Sequence, residues 1–165
     1  MILVVCALKK ELVSNDYNIL YTGIGKVNAT YTLTKVLLKN KNIKQVINYG
    51  TAGGINTRKN GIIECGNFYM SDFFNKNKTQ YISTNKDLNK VYCVDTFGTD
   101  KNKFKDYHCV DMESYALAYV CNQFGIKFRC FKYISDNLGE KNQHINWNQN
   151  INKGSDLFID ILKKL

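Results

Sequence analysis

Residues 45–54 read QVINYGTAGG, and this stretch decides the fold class. The apolar and aromatic run 45–49 is typical of a buried β-strand. The glycine-rich turn 50–54 is predicted to end that strand, because glycine lets a backbone turn sharply or approach another group closely. The stretch therefore predicts a core strand whose carboxyl end carries a binding site.

Strands and helices alternate on both sides of this stretch. Apolar runs of strand length occupy residues 2–6, 19–22, 68–70, 91–94 and 127–134. Helical spacing of apolar residues predicts helices over 26–38, 112–124 and 157–165, the second ended by Gly125. Strands separated by helices predict a single α/β domain over 1–165, with a central, mostly parallel but mixed, twisted sheet flanked by helices.

Composition and charge exclude several classes of protein. Of the 165 residues, 44% are hydrophobic and the formal net charge is +9. The positive charges are scattered in short groups, which is typical of a solvated surface and predicts no nucleic-acid partner. The apolar run 2–8 is too short for a signal peptide or membrane span, so we expect no membrane association and a cytoplasmic location.

The cysteine and histidine residues predict neither disulfides nor a metal site. None of the six cysteines forms a CxxC pair, and several lie in apolar runs, as expected for reduced, buried thiols. The chain has only two histidines, and no metal-ligand cluster is visible. The sequence therefore predicts no metal and no cofactor.

Chemically useful residues follow several of the predicted strands. Glu11 comes after the first strand, and the segments 95–97, 111–113 and 135–137 each carry at least one carboxylate near a strand end. Because the carboxyl ends of parallel strands meet at one edge of a sheet, we expect these side chains to converge there with the glycine turn.

Four segments together resemble a known family. They are GIGKVNA at 23–29, VINYGTAGG at 46–54, VDMES at 110–114 and ISD at 134–136. In this order they resemble the purine nucleoside phosphorylase and nucleosidase superfamily, and within it the methylthioadenosine/S-adenosylhomocysteine nucleosidases. The resemblance covers most of the chain. It implies a nucleoside phosphorylase-like fold, a purine nucleoside as the small-molecule partner, cleavage of its N-glycosidic bond, and a homodimer.

Two carboxylates are the candidate catalytic residues. Cleavage of an N-glycosidic bond requires an acid near the leaving base and a base that activates the nucleophile. The resemblance implies that Asp136 serves the purine N7 as the acid and that Glu11 activates the attacking water. Read without the resemblance, Asp136 could cap a helix, and Glu11 could be an exposed residue in the first turn of one.

The resemblance also implies the substrate-binding residues. Glu113 would accept both ribose hydroxyls, Met112 would pack under the sugar, and Phe97 would stack on the base. The glycine turn would offer backbone amides at Thr51, Ala52 and Gly53, and Ser135 would contact the substrate beside Asp136. Alternatively, Glu113 is a first-turn helix carboxylate and Met112 is core. Lys132 falls where the family carries a basic residue near the site.

The nucleophile is predicted to be water. A phosphorylase needs arginines to bind phosphate, but the chain has only Arg58 and Arg129, and neither lies in a matching motif. Asn48 stands where phosphorylases commonly carry arginine, and Glu11 would repel phosphate. The alternatives are a phosphate-dependent phosphorylase, a non-catalytic nucleoside-binding relative and a basic nucleic-acid-binding module.

Residues 73–76 read FFNK where the family has Arg-Tyr-His-Asp. The sequence therefore does not specify which 5′ substituent the nucleoside carries.

Overall fold

A computed structural model describes residues 1–55, 57, 59–70, 80–97 and 101–165. Arg58 and residues 73–76, on which two of the sequence arguments depend, lie outside these described residues. The strands are β1 (Ile2–Cys6), β2 (Ile19–Tyr21), β3 (Gln45–Gly54), β4 (Ile62–Met70), β5 (Gln80–Ser83), β6 (Asn89–Cys93), β7 (Cys109–Asp111) and β8 (Lys127–Asn137). The helices are α1 (Lys26–Lys39), α2 (Ser114–Gln123), α3 (Gln143–Asn150) and α4 (Ser155–Leu162), with a short 3-10 turn at Asn102–Phe104.

The strands form one mixed sheet that closes on itself. β3 pairs in parallel with β1 along its first half and with β8 along its whole length. β8 pairs antiparallel with β4, β4 and β7 each pair in parallel with β6, and β7 returns antiparallel to the end of β3. The ring β3–β8–β4–β6–β7 is thus complete, while β2 and β5 extend the sheet beyond β1 and β4. The predicted α/β class with a mixed sheet is confirmed.

Apolar side chains pack on both faces of β3. Val46 belongs to the core beneath α1 and α2, whereas Ile47 belongs to the core beneath α4, since successive strand residues point to opposite faces. Both residues are fully buried. This two-sided burial explains why the run 45–49 is almost continuously apolar.

The predicted break at Gly50 is wrong, because β3 continues without interruption to Gly54. The glycines there serve close packing, not a turn. A β-carbon at Gly54 would lie 2.5 Å from Asn137 Oδ1 and 2.7 Å from Ile134 Cγ2, so neither β8 side chain could keep its place. Gly125 has the predicted positive φ of 64° just after α2.

Four elements of the described residues were not predicted: the short strands β5 and β7, the 3-10 turn at Asn102–Phe104, and the helix α3. β8 also runs three residues further than expected, to Asn137. Of the described helices, none is long and apolar enough to cross a membrane.

Candidate active site

A cavity of about 320 Å³ opens where β1, β3 and β8 end and α2 begins. This volume lies at the lower end of the range of small-molecule sites. All predicted site residues except Ser135 line the cavity, namely Glu11, Thr51, Ala52, Gly53, Phe97, Met112, Glu113 and Asp136. Ser135 is buried behind them and donates a hydrogen bond to Asp136 Oδ1 at 2.7 Å. The expected convergence of strand-end residues is therefore found.

Glu11 is buried and held as a hydrogen-bond acceptor. It lies in the turn after β1 with 3% of its surface exposed, so it is not an exposed helix residue. Its Oε1 accepts hydrogen bonds from the Thr51 backbone N–H at 2.9 Å and the Thr51 hydroxyl at 2.8 Å. Its Oε2 accepts one from the Leu8 N–H at 3.0 Å. These three hydrogen bonds fix the position of the carboxylate at the cavity, and a carboxylate held there is a candidate for the general base.

Asp136 lies within β8, level with Gly53 of β3, and caps no helix. Its Oδ2 accepts a hydrogen bond from Gln143 Nε2 at 2.8 Å. Burial raises the pKa of Asp136, against the opposing effect of the hydrogen bonds from Ser135 and Gln143. A β-carbon on Gly53 would lie 3.3 Å from Asp136 Oδ2 and 2.5 Å from Leu138 Cδ1, so glycine leaves the space that this carboxylate occupies.

Glu113 occupies the N-cap position of α2, but its side chain points into the cavity and does not cap the helix. Its Oε1 accepts a 2.7 Å hydrogen bond from the Gly25 N–H, where the backbone has a φ of 93°. Burial, reinforced by the nearby Asp111 carboxylate, raises the pKa of Glu113 to about 7. Met112 lines the same cavity and is only partly buried, so it is not simply a core residue.

A buried ion pair lies beside the cavity, between Lys132 of β8 and Asp111 at the end of β7. Lys132 Nζ lies 2.7 Å from Asp111 Oδ2, and both side chains are at most 1% exposed. Burial alone would raise the pKa of Asp111 and lower that of Lys132. The attraction between them outweighs burial, so the pKa of Asp111 falls and that of Lys132 rises. Asp111 also accepts hydrogen bonds from the Ser114 N–H and hydroxyl, which fixes the start of α2. Lys132 is therefore internal, unlike a typical strand lysine.

Replacing Lys132 by Met is expected to lower the free energy of unfolding by about 3–5 kcal/mol, because it leaves the Asp111 charge buried and unpaired. Urea denaturation at neutral pH measures the change. The matched control is Lys163→Met, whose partner Asp160 is exposed, and which should change stability by about 1 kcal/mol at most. Equal effects of the two substitutions would contradict the importance of burial for the Lys132–Asp111 pair.

An aromatic wall closes one side of the cavity. Phe97 lies edge-to-face with His144 at 5.6 Å and with Trp147 at 6.2 Å between ring centroids, and all three line the cavity. Phe97 is 38% exposed, so it stands at the rim. Asp95, in the same loop, forms a 3.0 Å ion pair with Lys26 at the start of α1. Such a wall can pack against a flat heteroaromatic base.

His144, Trp147 and Gln143 were missed by the sequence analysis because they belong to α3. Trp147, the only tryptophan of the chain, donates its indole N–H to Thr51 Oγ1 at 2.9 Å. A tryptophan in an otherwise polar segment could have indicated a contact with the rest of the protein, because tryptophan side chains are highly buried on average.

Arg129 is paired with Glu64 and does not line the cavity, so it is not available to bind a phosphate there. It donates two hydrogen bonds to Glu64, at 2.6 and 2.9 Å, on the pair of strands β4 and β8. Asn48 is buried and donates to the Val5 and Tyr49 carbonyls.

Across the described part of the chain, no group of three or more His, Cys, Asp or Glu side chains is arranged to hold a metal ion.

The family assignment follows from a family model described as the phosphorylase superfamily, which matches residues 10–72 and 65–165. The chain belongs to this superfamily. A curated relative of this superfamily member is the 5′-methylthioadenosine/S-adenosylhomocysteine nucleosidase of Bacillus cytotoxicus. It is 25% identical over 202 aligned residues, which cover 95% of the chain and 85% of the relative.

Solved structures resemble this superfamily member along its whole length. One is a Borrelia burgdorferi protein assigned as a 5′-methylthioadenosine/S-adenosylhomocysteine nucleosidase and bound to adenine, with a TM-score of 0.81, 25% identity and 100% coverage of both chains. Another is the futalosine hydrolase of Helicobacter pylori, with a TM-score of 0.81 at 17% identity, covering 99% of this chain and 97% of the other. The second likeness concerns the fold alone.

Proposed function

We propose that this superfamily member hydrolyses the N-glycosidic bond of an adenine-type purine nucleoside such as methylthioadenosine or adenosylhomocysteine. One observation carries the proposal: Glu11 and Asp136 lie on the two sides of β3 and line one cavity. β3 separates β1, which precedes Glu11, from β8, which contains Asp136. An acid and a base on opposite sides of a bound ribose are what glycosidic hydrolysis requires.

Asp136 serves as the acid in this proposal. As the bond to the ribose breaks, the purine takes up the bonding electrons, and a proton delivered to N7 makes it a better leaving group. A carboxyl group whose pKa burial has raised keeps its proton at a pH where an ordinary aspartate has lost it. Ser135 contributes by holding Asp136 Oδ1.

Glu11 and Glu113 act on the sugar side. Glu11, fixed by Thr51 and Leu8, accepts a proton from the attacking water as positive charge develops on the ribose. Glu113 accepts hydrogen bonds from the ribose hydroxyls, with Met112 beneath the ring. Phe97 packs on the base, and the backbone at Thr51, Ala52 and Gly53 forms the cavity floor.

Water is the nucleophile in the proposal because neither Arg129 nor Lys132 is free to bind a phosphate. Arg129 is paired with Glu64, and Lys132 is paired with Asp111. A bound phosphate would also face the Glu11 carboxylate, which repels it. These contacts support a hydrolase over a phosphorylase.

The substrate and the nucleophile can be tested in one assay. Methylthioadenosine, adenosylhomocysteine, adenosine and inosine are each incubated with the protein, with and without phosphate, and the free base and sugar products are separated and measured. We expect release of adenine and a free sugar at a rate independent of phosphate. Release that requires phosphate and yields a sugar 1-phosphate would establish a phosphorylase instead. Binding of a nucleoside without release of its base would establish a non-catalytic relative.

A homodimer and a cytoplasmic location belong to the same proposal. Val27, Tyr31 and Leu38 form an exposed apolar strip along α1, which a second copy of the chain could bury. All six cysteines are buried and unpaired, as is usual for proteins of a reducing compartment.

A further inference from the structure

One face of α3 presents three hydrogen-bond donors to the site. Gln143, Trp147 and Asn150 are spaced four and then three residues apart, so they lie on the same side of the helix. Gln143 Nε2 donates to Asp136 Oδ2 at 2.8 Å, and Trp147 Nε1 donates to Thr51 Oγ1 at 2.9 Å. Asn150 Nδ2 donates to the Ser135 carbonyl at 2.9 Å. We call these three residues the donor face of α3.

The donor face reaches both candidate catalytic carboxylates. Gln143 contacts Asp136 directly. Trp147 reaches Glu11 through one intermediate, because the Thr51 hydroxyl that accepts the indole N–H donates its own proton to Glu11 Oε1 at 2.8 Å. A single short helix is therefore bonded to the acid on one side of β3 and to the base on the other.

We propose that α3 is a positioning element for the reaction, in which Gln143 orients and tunes Asp136 while Trp147 fixes Glu11 through Thr51. The inference depends on the proposed hydrolase function for its catalytic meaning. The hydrogen bonds that it invokes do not depend on that function.

Gln143 is held so that its donor, not its acceptor, faces Asp136. Its Oε1 accepts a hydrogen bond from the Gly139 N–H at 3.2 Å, which leaves Nε2 directed at the carboxylate. A donor aimed at a carboxylate stabilises the ionised form. Burial of Asp136 at 1% exposure stabilises the protonated form. Gln143 therefore opposes burial and lowers the pH at which Asp136 loses its proton.

The charged groups around Asp136 belong to other residues, so replacing Gln143 removes none of them. Among the charged groups, Glu140 and Lys59 affect the pKa of Asp136 most: Glu140 raises it and Lys59 lowers it. The two form a 2.9 Å ion pair with each other. His144, on the same helix, lines the cavity, as do Glu11 and Glu113 from the loop after β1 and the start of α2. A change in Asp136 titration on replacing Gln143 alone is thus attributable to the lost donor.

The test compares Gln143→Met, which keeps the length of the side chain but removes its donor, with the wild type. Because Asp136 acts in its protonated form, kcat falls as pH rises through the pKa of Asp136. Removing the donor moves this falling limb to higher pH by about one unit. The matched control is Gln149→Met, the same substitution at an exposed position of α3, which should leave the profile unchanged. A uniform loss of kcat with an unmoved limb would overturn the tuning role.

Trp147→Phe tests the other half of the donor face. It keeps an aromatic ring but removes the N–H that holds Thr51. We expect kcat to fall about 5- to 10-fold with KM changed less than about 2-fold and the falling limb unmoved. An unchanged kcat, or a rise in KM with constant kcat, would overturn the positioning of Glu11 through Thr51.

A direct titration separates this inference from the proposed function. Carboxyl ¹³C NMR of aspartate-labelled protein follows Asp136 against pH without any turnover, and its signal is identified by its absence in Asp136→Asn. We expect Asp136 to titrate at higher pH in Gln143→Met than in the wild type. Unchanged titration would refute the role of Gln143 even in an active enzyme. An inactive wild type that shows the shift would refute the hydrolase function alone.

Discussion

Asp136→Asn is expected to lower kcat for release of the base by about 10²- to 10⁴-fold, the usual contribution of a positioned general acid. Asparagine has the same shape and remains between Ser135 and Gln143, but it has no acidic proton to give to N7. We expect KM for the nucleoside to change little, because the cavity keeps its form. Steady-state assays of adenine release give both constants.

A change of leaving group provides the control for Asp136. p-Nitrophenyl riboside releases a phenolate that needs no protonation, so Asp136→Asn should cleave it at nearly the wild-type rate. An equal loss on the nucleoside and on the nitrophenyl riboside would mean that Asp136 supports the site without acting as its acid. Near-normal turnover of the nucleoside by the variant would exclude Asp136 from the chemistry altogether.

Glu11→Gln is expected to lower kcat by a similar factor, about 10²- to 10⁴-fold, through loss of the base that accepts a proton from water. The amide also meets backbone donors on both sides, the Leu8 and Thr51 N–H groups, so one of these hydrogen bonds must be lost. Some loss of stability is therefore expected beside the loss of activity, and a thermal melt measures it separately from the assay.

The pH dependence and a matched substitution identify the role of Glu11. On the nitrophenyl riboside, which needs no acid, activity of Glu11→Gln should rise with pH, since hydroxide needs no base. The substitution should lower cleavage of the nitrophenyl riboside by the same factor as cleavage of the nucleoside. Glu64→Gln, which alters a carboxylate bonded to Arg129 outside the cavity lining, should keep wild-type kcat. If Glu11→Gln lost activity on the nucleoside alone, Glu11 would be assigned to the leaving group and not to the water.

The sequence predicted the parts of the site that depend on local pattern. Strand-end carboxylates and the run 45–54 pointed to one sheet edge, and Glu11, Glu113 and Asp136 indeed share a cavity. Their proposed chemical roles stay predictions until the substitutions above are made. The strands that were found are those with apolar runs long enough to be distinguished from loops.

The missed elements lacked such a pattern for physical reasons. α3 is polar on nearly every side, and its Ile145 is 53% exposed, so it has no apolar stripe to detect. Its described contacts with the site are hydrogen bonds from the donor face and ring contacts of His144 and Trp147 with Phe97, and both depend on partners distant in the sequence. β7 has three residues and ends on the charged Asp111, whereas the three residues of β2, which was predicted, are all apolar or aromatic. Gly53 and Gly54 suggested a turn, but they are glycines because a β-carbon there would collide with side chains of β8 or of the residue after it. Those side chains are distant in the sequence, so the local pattern could not reveal the reason.

The closed ring of strands fixes the residues at the strand ends but leaves the connections between the strands free to vary. β3 and β8 each have neighbours on both sides, so the residues they contribute cannot shift without breaking several ladders of backbone hydrogen bonds. Insertions and deletions can then accumulate between the strands and alter which substituents of a ligand fit the cavity, while Asp136 and the backbone at 51–53 keep their spacing. Selectivity and bond-breaking can therefore evolve at different rates in such a scaffold.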